Sequence, residues 1–377
     1  MRAVCFDEPF KVSVQEIDKP QVANPTDAVV RVELAAICGS DLHPYRGAEK
    51  GLAPGTVMGH EFVGTIESVG NQVKELQCGD RVVSPFTTNC GECFFCKQGL
   101  SCRCEKGQLY GWVDEATGHG LQGGQAEYVR VPMADATLFK VPDGLDSDKA
   151  LLLGDILSTG YYAALRGEIC SEQALQRTEG TAVPERPNAY KKVVVVIGCG
   201  PVGLMAVAAA SYLGKLEGQV SVVAVDGVSD RLEAAKVLGA DVALDFTSTN
   251  VAEEVRKLSA SGQGADVVLE VVGQPSAMKS AYDCMRPGAI LSSVGVHAYE
   301  KPVITPENMY DKNVTLRSGR CPARSVVQRH LTHLLSIVQT SDLSSLFTHK
   351  VKLDDVPAAY KSFDGQKDGM IKCLIEM

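Results

Sequence analysis

The sequence predicts an α/β protein built from a β-rich, barrel-like N-terminal domain and a second domain with a doubly wound parallel sheet. Three observations predict this class. The chain has 377 residues, more than the roughly 100–200 residues of one typical domain. Short apolar runs separated by turn residues occupy the chain up to about residue 150, and apolar strands alternate with helical patterns from about residue 157. We therefore expect residues 1–156 to form the first domain, with residues 297–377 returning to it, and residues 157–296 to form the second.

The composition is that of a globular protein with a sizeable core, since 45% of the residues are hydrophobic and 22% are charged. The net charge of −9 argues against nucleic acid and anionic membranes as partners. The apolar stretches are far shorter than the ~20 residues that cross a bilayer, and the N-terminal residues show no secretory or transit signal. Thirteen cysteines, an odd number, favour metal ligands and buried apolar side chains over disulfides. These features predict a cytoplasmic protein without a nucleic-acid or membrane partner.

In the first domain, residues 28–34 and residues 62–69 alternate or stay apolar, as strands do. Turn residues such as Asn24-Pro25 and Gly70-Asn71 lie between the apolar runs. Several short strands at this spacing indicate a compact barrel.

In the second domain, Lys191–Ile197 is a β-branched run that suits a strand buried on both faces of a parallel sheet. Strands and helices then alternate, which indicates a parallel sheet with right-handed crossovers. The predicted strands are residues 220–225, 265–272 and 289–294, and the predicted helices are residues 204–213 and 230–238. Residues 166–190 lack periodicity and are expected to form a surface excursion, whereas residues 370–375 are expected to form a strand.

A glycine-rich turn follows the first of these strands and opens a helix. It reads Gly198-Cys199-Gly200-Pro201-Val202-Gly203, which matches the G-x-G-x-x-G pattern. In that pattern the first glycine makes the tight turn, the second admits a pyrophosphate close to the backbone, and the third lets helix and strand pack closely. The helix N-terminus then offers N–H groups to the phosphates. These residues predict a dinucleotide site of the Rossmann type.

The residue that ends the next strand indicates which dinucleotide binds. Asp226 lies where an acid holds the ribose hydroxyls, and Gly227 and Val228 offer no base to a 2′-phosphate. Its carboxylate would also repel that phosphate, so NAD is predicted over NADP. Arg231 either approaches the adenosine side of the cofactor or is a solvated helix residue.

A cluster of five cysteines predicts a closed zinc site. Cys90, Cys93 and Cys96 are each separated by two residues, and Cys104 follows after seven more. Such spacing lets one loop surround a tetrahedral zinc ion, and four thiolates leave no position for substrate, so the role is structural. Cys104 is the expected fourth ligand, with Cys102 as its competitor.

Two further segments carry metal-type residues in the first domain. They are Ile37–His43, which contains a cysteine and a histidine, and Gly59–Gly64, which contains a histidine and a glutamate. A lone cysteine or histidine is more often a core residue. Together, in a chain with a dinucleotide site, they favour a second metal centre.

Over essentially its full length the chain resembles the zinc-containing medium-chain alcohol dehydrogenases, whose first domain is a GroES-like barrel. The motifs that carry the resemblance are Cys38-Gly39-Ser40-Asp41, Gly59-His60-Glu61, the four-cysteine cluster and the glycine-rich turn with Asp226. Within the family it is most similar to the formaldehyde-dehydrogenase-like branch, through Leu152–Tyr161, Ser293–His297 and Gly319–Pro322.

The resemblance implies the ligands of a catalytic zinc. Cys38 and His60 are two of them, and Asp155 stands where many members of the family have a second cysteine ligand. Asp155 has an alternative role as the N-cap of a helix that begins near Ile156. Glu61 is expected to be a second-sphere carboxylate or a transient ligand. Asp41 is expected to orient the imidazole of His60.

The resemblance also implies an activity and an assembly. An alcohol or aldehyde exchanges a hydride with NAD at the catalytic zinc, Ser40 passes the substrate proton on, and His43 carries it to solvent. Two zinc ions per subunit are expected, together with a homodimer or homotetramer that pairs through the second domain, with residues 289–294 at the edge of the sheet.

Two alternatives stay open at this point. One is a non-enzymatic zinc-binding regulatory protein, against which the acidic charge and the dinucleotide pattern argue. The other is an enzyme like the formaldehyde dismutases, which retain their NAD and cycle an alcohol against an aldehyde. The sequence does not name the substrate.

Overall fold

A computed structural model describes residues 1–176, 190–365 and 367–377. The described strands are β1 (Arg2–Glu8), β2 (Lys11–Glu16), β3 (Ala28–Ile37), β4 (Phe62–Val69), β5 (Arg81–Val83), β6 (Trp112–Val113), β7 (Gly120–Leu121), β8 (Tyr128–Val131), β9 (Phe139–Lys140), β10 (Lys192–Ile197), β11 (Val220–Asp226), β12 (Val242–Asp245), β13 (Ala265–Glu270), β14 (Met285–Ser293), β15 (Thr315–Ser318), β16 (His349–Lys352) and β17 (Cys373–Glu376). The described α-helices are α1 (Leu42–Tyr45), α2 (Phe94–Lys97), α3 (Ala134–Thr137), α4 (Ser147–Gly154), α5 (Ile156–Arg166), α6 (Glu172–Leu175), α7 (Pro201–Glu217), α8 (Ser229–Val237), α9 (Val251–Leu258), α10 (Pro275–Cys284), α11 (Pro306–Lys312), α12 (Ala323–Thr340) and α13 (Val356–Asp364).

The chain divides into two compact units. The first comprises residues 1–158, 322–331 and 347–377, and the second comprises residues 159–321 and 332–346. The expected return of residues 297–377 to the first domain therefore differs from the structure, because only part of that segment returns. Its strand β15 pairs with β14 and extends the sheet of the second unit.

The first unit is built around a sheet with the strand order β16-β17-β3-β4-β5-β9, in which β8 also pairs with β3. β3 pairs antiparallel with β4, β8 and β17, and apolar side chains of β3 and β4 enter one core. The C-terminal strand is shorter than expected, since residues 370–372 precede β17. Its register sets Cys373 opposite Ile37, so the C-terminus is brought to the end of β3 where the candidate metal ligands begin.

The second unit contains a six-stranded sheet with the order β12-β11-β10-β13-β14-β15, and all five strand pairs are parallel. Val193–Val196 of β10 are at most 1% exposed, as a β-branched run buried on both faces predicts. Chain order reverses between β10 and β13, and in open α/β sheets ligands bind beyond the carboxyl ends of the strands at such a point. The glycine-rich turn lies at that end of β10.

The strand at residues 289–294 was expected at the edge of this sheet, and the structure corrects that expectation. Residues 289–293 belong to β14, which pairs with β13 on one side and with β15 on the other, and residue 294 follows the strand. The prediction that residues 289–294 form the edge of the sheet is therefore wrong, because β15 is the edge strand. β15 escapes notice in the sequence because its four residues, Thr-Leu-Arg-Ser, show no apolar run.

The predicted excursion at residues 166–190 is described only in part. α5 continues to Arg166 and α6 forms a short helix capped by Ser171, whereas residues 177–189 lie outside the described residues. Among the helices that the structure describes, none combines the length and the apolar character that a membrane span requires.

Candidate active site and cofactor site

Cys38 follows β3 directly and begins a 3-10 turn, Gly39–Asp41. The turn is closed by Asp41, whose Oδ2 accepts a hydrogen bond of 2.9 Å from the backbone N–H of Cys38. Asp41 is 5% exposed and Cys38 is 6% exposed. The short polar turn thus holds a thiol and a carboxylate side by side at the end of a buried strand.

His60 lies just before β4, the neighbour of β3 in the sheet. Its Nδ1 is 3.1 Å from Asp41 Oδ1, so the Nδ1–H donates to that carboxylate and the lone pair of Nε2 faces the other way. An imidazole oriented by a carboxylate in this manner is the usual arrangement of a metal-binding histidine. Asp41 therefore takes the position expected of it from the resemblance.

Asp155 occupies the single residue between α4 and α5. Its Oδ2 lies 3.2 Å from His60 Nε2 and 3.5 Å from Cys38 Sγ. Bonds of about 2.0–2.3 Å to a tetrahedral zinc ion would set ligand atoms roughly 3.3–3.8 Å apart. A soft sulfur, an imidazole nitrogen and a carboxylate oxygen at this spacing fit that metal.

The charges of this cluster depend on one another. Burial alone lowers the pKa of His60, but the Asp41 carboxylate and the Cys38 sulfur raise it well above its usual value. Burial raises the pKa of the Cys38 thiol, and the nearby Asp155 carboxylate raises it further. Without a cation, a Cys38 thiolate would face the Asp155 carboxylate in a buried site, which is unfavourable and favours the protonated thiol. A divalent cation among Cys38, His60 and Asp155 removes that conflict.

Glu61 belongs to the same cluster. It forms an ion pair that the sequence alone does not predict. Its Oε1 accepts a hydrogen bond from Nζ of Lys372, which also donates to the carbonyl of Ile37 at 3.1 Å. Both charged side chains are fully buried. The other oxygen, Oε2, has no hydrogen-bond partner among the described residues. One ligand-type atom from each of Glu61, Cys38, His60 and Asp155 lies within 4.8 Å of the others.

Ser40 contacts the ligand atoms, and His43 lies outside the cluster. Ser40 Oγ is 3.3 Å from Cys38 Sγ and 3.3 Å from His60 Nε2. His43 is half-buried in the next helix, α1. The structure thus places the Ser40 hydroxyl beside the candidate ligands. His43 lies three residues further along the chain, in α1.

The four-cysteine cluster forms a second group. One sulfur atom from each of Cys90, Cys93, Cys96 and Cys104 lies within 4.8 Å of the others, and Cys102 is not a member. Backbone N–H groups point at these sulfurs, from Cys90 to Cys104 at 3.2 Å and from Cys93 to Cys90 at 3.4 Å. Backbone N–H groups of Cys96 and Glu105 also lower the pKa of Cys93 to about 6. Burial raises the pKa of Cys96 and that of Cys104, so the backbone donors favour the thiolate at Cys93, and a bound cation would be needed to hold all four sulfurs as thiolates.

The glycine-rich turn has the geometry that the pattern requires. Gly198 has a φ of 93°, in the left-handed region. It also lies close to Val272, two residues after the end of β13, because an added Cβ would be 2.3 Å from Val272 Cγ2. A Cβ on Gly203 would lie 1.9 Å from the carbonyl oxygen of Gly198, whereas a Cβ on Gly200 would meet nothing within 4 Å. Gly200 therefore faces open space at the N-terminus of α7. Pro201 and Val202 are the first two residues of this 17-residue helix.

Asp226 has a second task besides the one expected of it. Its Oδ2 accepts a hydrogen bond of 2.7 Å from the N–H of Cys199, inside the glycine-rich turn, and Oδ1 accepts from Gly227 and Val228. Arg231 approaches the same carboxylate, with Nη1 3.9 Å from Oδ2. Asp226 thus supports the glycine-rich turn, besides the contact with the ribose hydroxyls that the sequence predicts for it.

Lys372 is the functional residue that sequence reasoning missed. A signal existed, since it is the one charged residue within Met370–Ile375, an otherwise apolar run. A lysine in such a run is buried only when it is paired, which invites a search for an acid. The identity of that acid depends on the pairing of β17 with β3, which no local pattern discloses.

Comparisons with known proteins agree with this architecture. Residues 24–143 match the model of the alcohol dehydrogenase GroES-like domain, and residues 201–336 match that of the zinc-binding dehydrogenases. Zinc-type alcohol dehydrogenase B of Aspergillus flavus is 44% identical over 328 residues, which cover 86% of this chain and 70% of that protein. An alcohol dehydrogenase of Cupriavidus necator is 33% identical, with 100% of this chain and 98% of that protein covered.

Among solved structures, the alcohol dehydrogenase TADH from Thermus sp. ATN1 is similar at a TM-score of 0.85 and 35% identity, covering 100% of this chain and 99% of that one. The comparisons do not distinguish the branch of the family, so the formaldehyde-dehydrogenase-like assignment stays a prediction. They do exclude the regulatory alternative, because the relatives are enzymes. The chain therefore belongs to the zinc-containing medium-chain alcohol dehydrogenases and is a zinc-dependent oxidoreductase with a nicotinamide cofactor.

Proposed function

We propose that this protein transfers a hydride between a small alcohol or aldehyde and NAD at a zinc ion held by Cys38, His60 and Asp155. The observation that carries the proposal is the convergence of their sulfur, nitrogen and oxygen atoms in one buried cluster. Three protein ligands leave one position of a tetrahedral zinc open to substrate, which is typical of catalytic sites. The four cysteines of the second group would occupy all four positions of a tetrahedral zinc ion, as in structural zinc sites.

The chain's own residues hold the metal and move the proton. When bound, the zinc acts as a Lewis acid that lowers the pKa of an alcohol oxygen, and the nicotinamide accepts the hydride. Ser40 supports the proton step, since its hydroxyl contacts both Cys38 Sγ and His60 Nε2. His43 then exchanges the proton with solvent, a role supported by its half-buried position in α1, three residues after Ser40. The Glu61 carboxylate lies next to the three ligands. We assign it the role of a second-sphere group or a transient ligand of the zinc.

We propose NAD rather than NADP as the cofactor. Asp226 ends β11 beside the glycine-rich turn, and its carboxylate would repel a 2′-phosphate. Arg231 is drawn toward that carboxylate, so its charge is already partly compensated. Both features support recognition of the unmodified ribose.

We further propose a cytoplasmic homodimer or homotetramer. β15 supports pairing between subunits, because it lies at the edge of the six-stranded sheet and Leu316 on it is 40% exposed. An unpaired edge strand offers a row of backbone donors and acceptors to a second copy. Sedimentation equilibrium tests this assembly, and a monomer of 40.2 kDa would contradict it.

Turnover and metal content of the purified protein test the proposal together. We expect two zinc ions per chain and NADH formation with at least one member of a panel of alcohols, or NADH consumption with an aldehyde. Cys38→Ser is the matched control, and it should retain one zinc ion and show no turnover. Failure of the whole panel in a protein that holds both zinc ions would overturn the proposed activity. Cofactor absorbance in the purified protein, with formaldehyde turnover and no added NAD, would instead favour the dismutase alternative.

A further inference from the structure

Gln125 lies behind the candidate zinc site with its amide group fully enclosed. Its side chain is 0% exposed. Nε2 donates hydrogen bonds to the carbonyl of Ala36 at 3.0 Å and to Asp41 Oδ2 at 3.3 Å, while Oε1 accepts one from the hydroxyl of Tyr360 at 3.0 Å. The reversed amide would set Oε1 against two acceptors. These partners therefore fix the orientation of the amide.

Through Asp41 this amide is connected to the imidazole of His60. Asp41 Oδ2 accepts from Gln125 Nε2 and from the backbone of Cys38, and Asp41 Oδ1 is 3.1 Å from His60 Nδ1. Both carboxylate oxygens are thus held by defined donors. Gln125 supplies the only side-chain donor to Oδ2 among the described residues.

Gly59, next to His60 in the chain, leaves the space that the Gln125 side chain occupies. An added Cβ would lie 2.4 Å from Gln125 Cγ, 2.7 Å from Cδ and 2.8 Å from Nε2. Backbone hydrogen bonds join the same two segments, from Gln125 to Met58 and from Gly124 to Gly59, both at 2.9 Å. The segment that carries His60 is therefore fitted to this glutamine.

Tyr360 anchors the far side of the amide. It comes from α13, is 0% exposed and packs against Tyr45 with ring centroids 5.3 Å apart. Burial, with the Asp41 carboxylate nearby, raises the pKa of its phenol well above the usual value. Tyr360 consequently stays protonated and keeps donating to Gln125.

We propose that Gln125, anchored by Tyr360 and admitted by Gly59, is a positioning residue for the catalytic zinc: it fixes Asp41, which orients the imidazole of His60 toward the metal. The inference rests on the proposed function, because it requires a zinc ion at that imidazole. Removal of the direct hydrogen-bond partner of a metal ligand commonly changes metal affinity or activity about 10–100-fold, and Gln125 holds such a partner, Asp41, in place.

Release of zinc to a chromogenic chelator tests this role without relying on turnover. Gln125→Met keeps the length of the side chain and removes its hydrogen bonds. We expect it to speed release from the Cys38 site about 10–100-fold and to change the visible spectrum of the cobalt-substituted protein. Release from the four-cysteine site should stay as in the wild type. Gln108→Met is the matched control, since among the described residues the side chain of Gln108 donates only to the carbonyl of Gly120.

Tyr360→Phe provides a second, milder variant that decides the question if Gln125→Met fails to fold. Loss of one hydrogen bond should speed release about two- to tenfold. Tyr110→Phe is its control, because Tyr110 is equally buried and its hydroxyl contacts Ser84 instead. Unchanged release and an unchanged cobalt spectrum in Gln125→Met and Tyr360→Phe would overturn this inference alone. Absence of any Cys38-dependent zinc in the wild type would overturn the proposed function and, with it, this inference.

Discussion

Lys372 forms an ion pair with Glu61 in which neither side chain has any exposed surface. Lys372 comes from the segment just before β17, and Glu61 from the residue before β4. One oxygen of Glu61 lies within 4.8 Å of the ligand-type atoms of Cys38, His60 and Asp155, so the pair adjoins the candidate zinc site. A charge that is buried in this way depends on its partner, because water cannot replace it.

Removal of the lysine alone should therefore be costly. Lys372→Met leaves the Glu61 carboxylate buried beside other acids, and we expect it to lower the free energy of unfolding by about 3–5 kcal/mol. The double variant Glu61→Gln/Lys372→Met should recover most of that loss, since no charge is left unpaired. Urea denaturation of the variants measures both effects. Lys350→Met is a matched control, because Lys350 is 56% exposed and its ion pair with Glu376 is worth about 0–1 kcal/mol. Equal stability of Lys372→Met and wild type would refute the assignment.

The two cysteine-containing sites should respond differently to serine substitution. Cys93→Ser opens the loop that the four thiolates close, so we expect zinc to fall from two ions to one and stability to fall by about 2–5 kcal/mol, as when a disulfide is removed. Cys38→Ser should also lose one zinc ion, yet unfold close to the wild-type temperature. Metal analysis and thermal denaturation separate these results. Cys102→Ser is the control and should keep both zinc ions, because Cys102 lies outside the four-sulfur group. Loss of zinc in this variant would contradict the assignment of Cys104 as the fourth ligand.

Local patterns predicted much of this molecule, and long-range pairing accounts for the rest. The strands β3, β10 and β11 were predictable because β-branched runs and turn residues act within a few residues of each other. The glycine-rich turn and the four-cysteine group were predictable for the same reason, since each lies within one short segment.

The features that escaped prediction depend on which segments meet. Lys372 reaches Glu61 because β17 pairs with β3 in a register that sets Cys373 opposite Ile37, more than 300 residues apart in the chain. The sequence points to β14 as the edge strand because β15, with three polar residues and one leucine, gives no strand signal. The support that Asp226 gives to Cys199 likewise arises only once β10 and β11 lie side by side.

The glycines of the cofactor turn should separate a folding effect from a binding effect. Gly203→Ala forces a Cβ to within 1.9 Å of a backbone oxygen, so we expect a large loss of thermal stability. Gly200→Ala meets nothing within 4 Å, and its φ of −66° suits alanine, so the fold should be unchanged. Its methyl group faces the open side of the turn and should weaken NADH binding about 10–100-fold. That loss corresponds to roughly 1.4–2.8 kcal/mol. Fluorescence titration with NADH checks it, and wild-type affinity in Gly200→Ala would contradict the site.

Asp226→Asn should reveal how far its negative charge selects NAD. The amide keeps an oxygen for Gly227 and Val228 but turns a donor toward the N–H of Cys199, so we expect a stability cost of about 1–2 kcal/mol. Without the charge, the ratio of kcat/KM for NAD to that for NADP should fall about tenfold, which is 1.4 kcal/mol. Asp230→Asn, an exposed acid at the start of α8, should leave the ratio unchanged. A wild-type preference for NADP would overturn the assignment.

Asp155 is the proposed ligand whose role is easiest to mistake, because it lies at a helix boundary, where an aspartate also serves as a cap. Its Oδ2 lies 3.2 Å from His60 Nε2 and 3.5 Å from Cys38 Sγ. As a zinc ligand it should not tolerate asparagine, whose neutral amide oxygen is a weaker donor to the metal. We expect Asp155→Asn to lose one zinc ion and at least 100-fold in kcat/KM, which is about 2.8 kcal/mol. Asp155→Cys should retain the zinc ion, since a thiolate keeps the charge of the ligand set.

As a helix cap alone, Asp155 would give the opposite ranking. Asparagine caps about as well as aspartate, so Asp155→Asn would then be harmless, and Asp155→Cys would cost ~1 kcal/mol. Asp146→Asn is the control for a helix boundary away from the site, because Asp146 is the exposed N-cap residue of α4 and its side chain makes no capping hydrogen bond, so zinc content, activity and stability should stay unchanged. Zinc content and kcat/KM measured for the three variants distinguish the two roles. Full zinc content and full activity in Asp155→Asn would remove Asp155 from the ligand set and leave Glu61, with its unpartnered Oε2, as the carboxylate to examine.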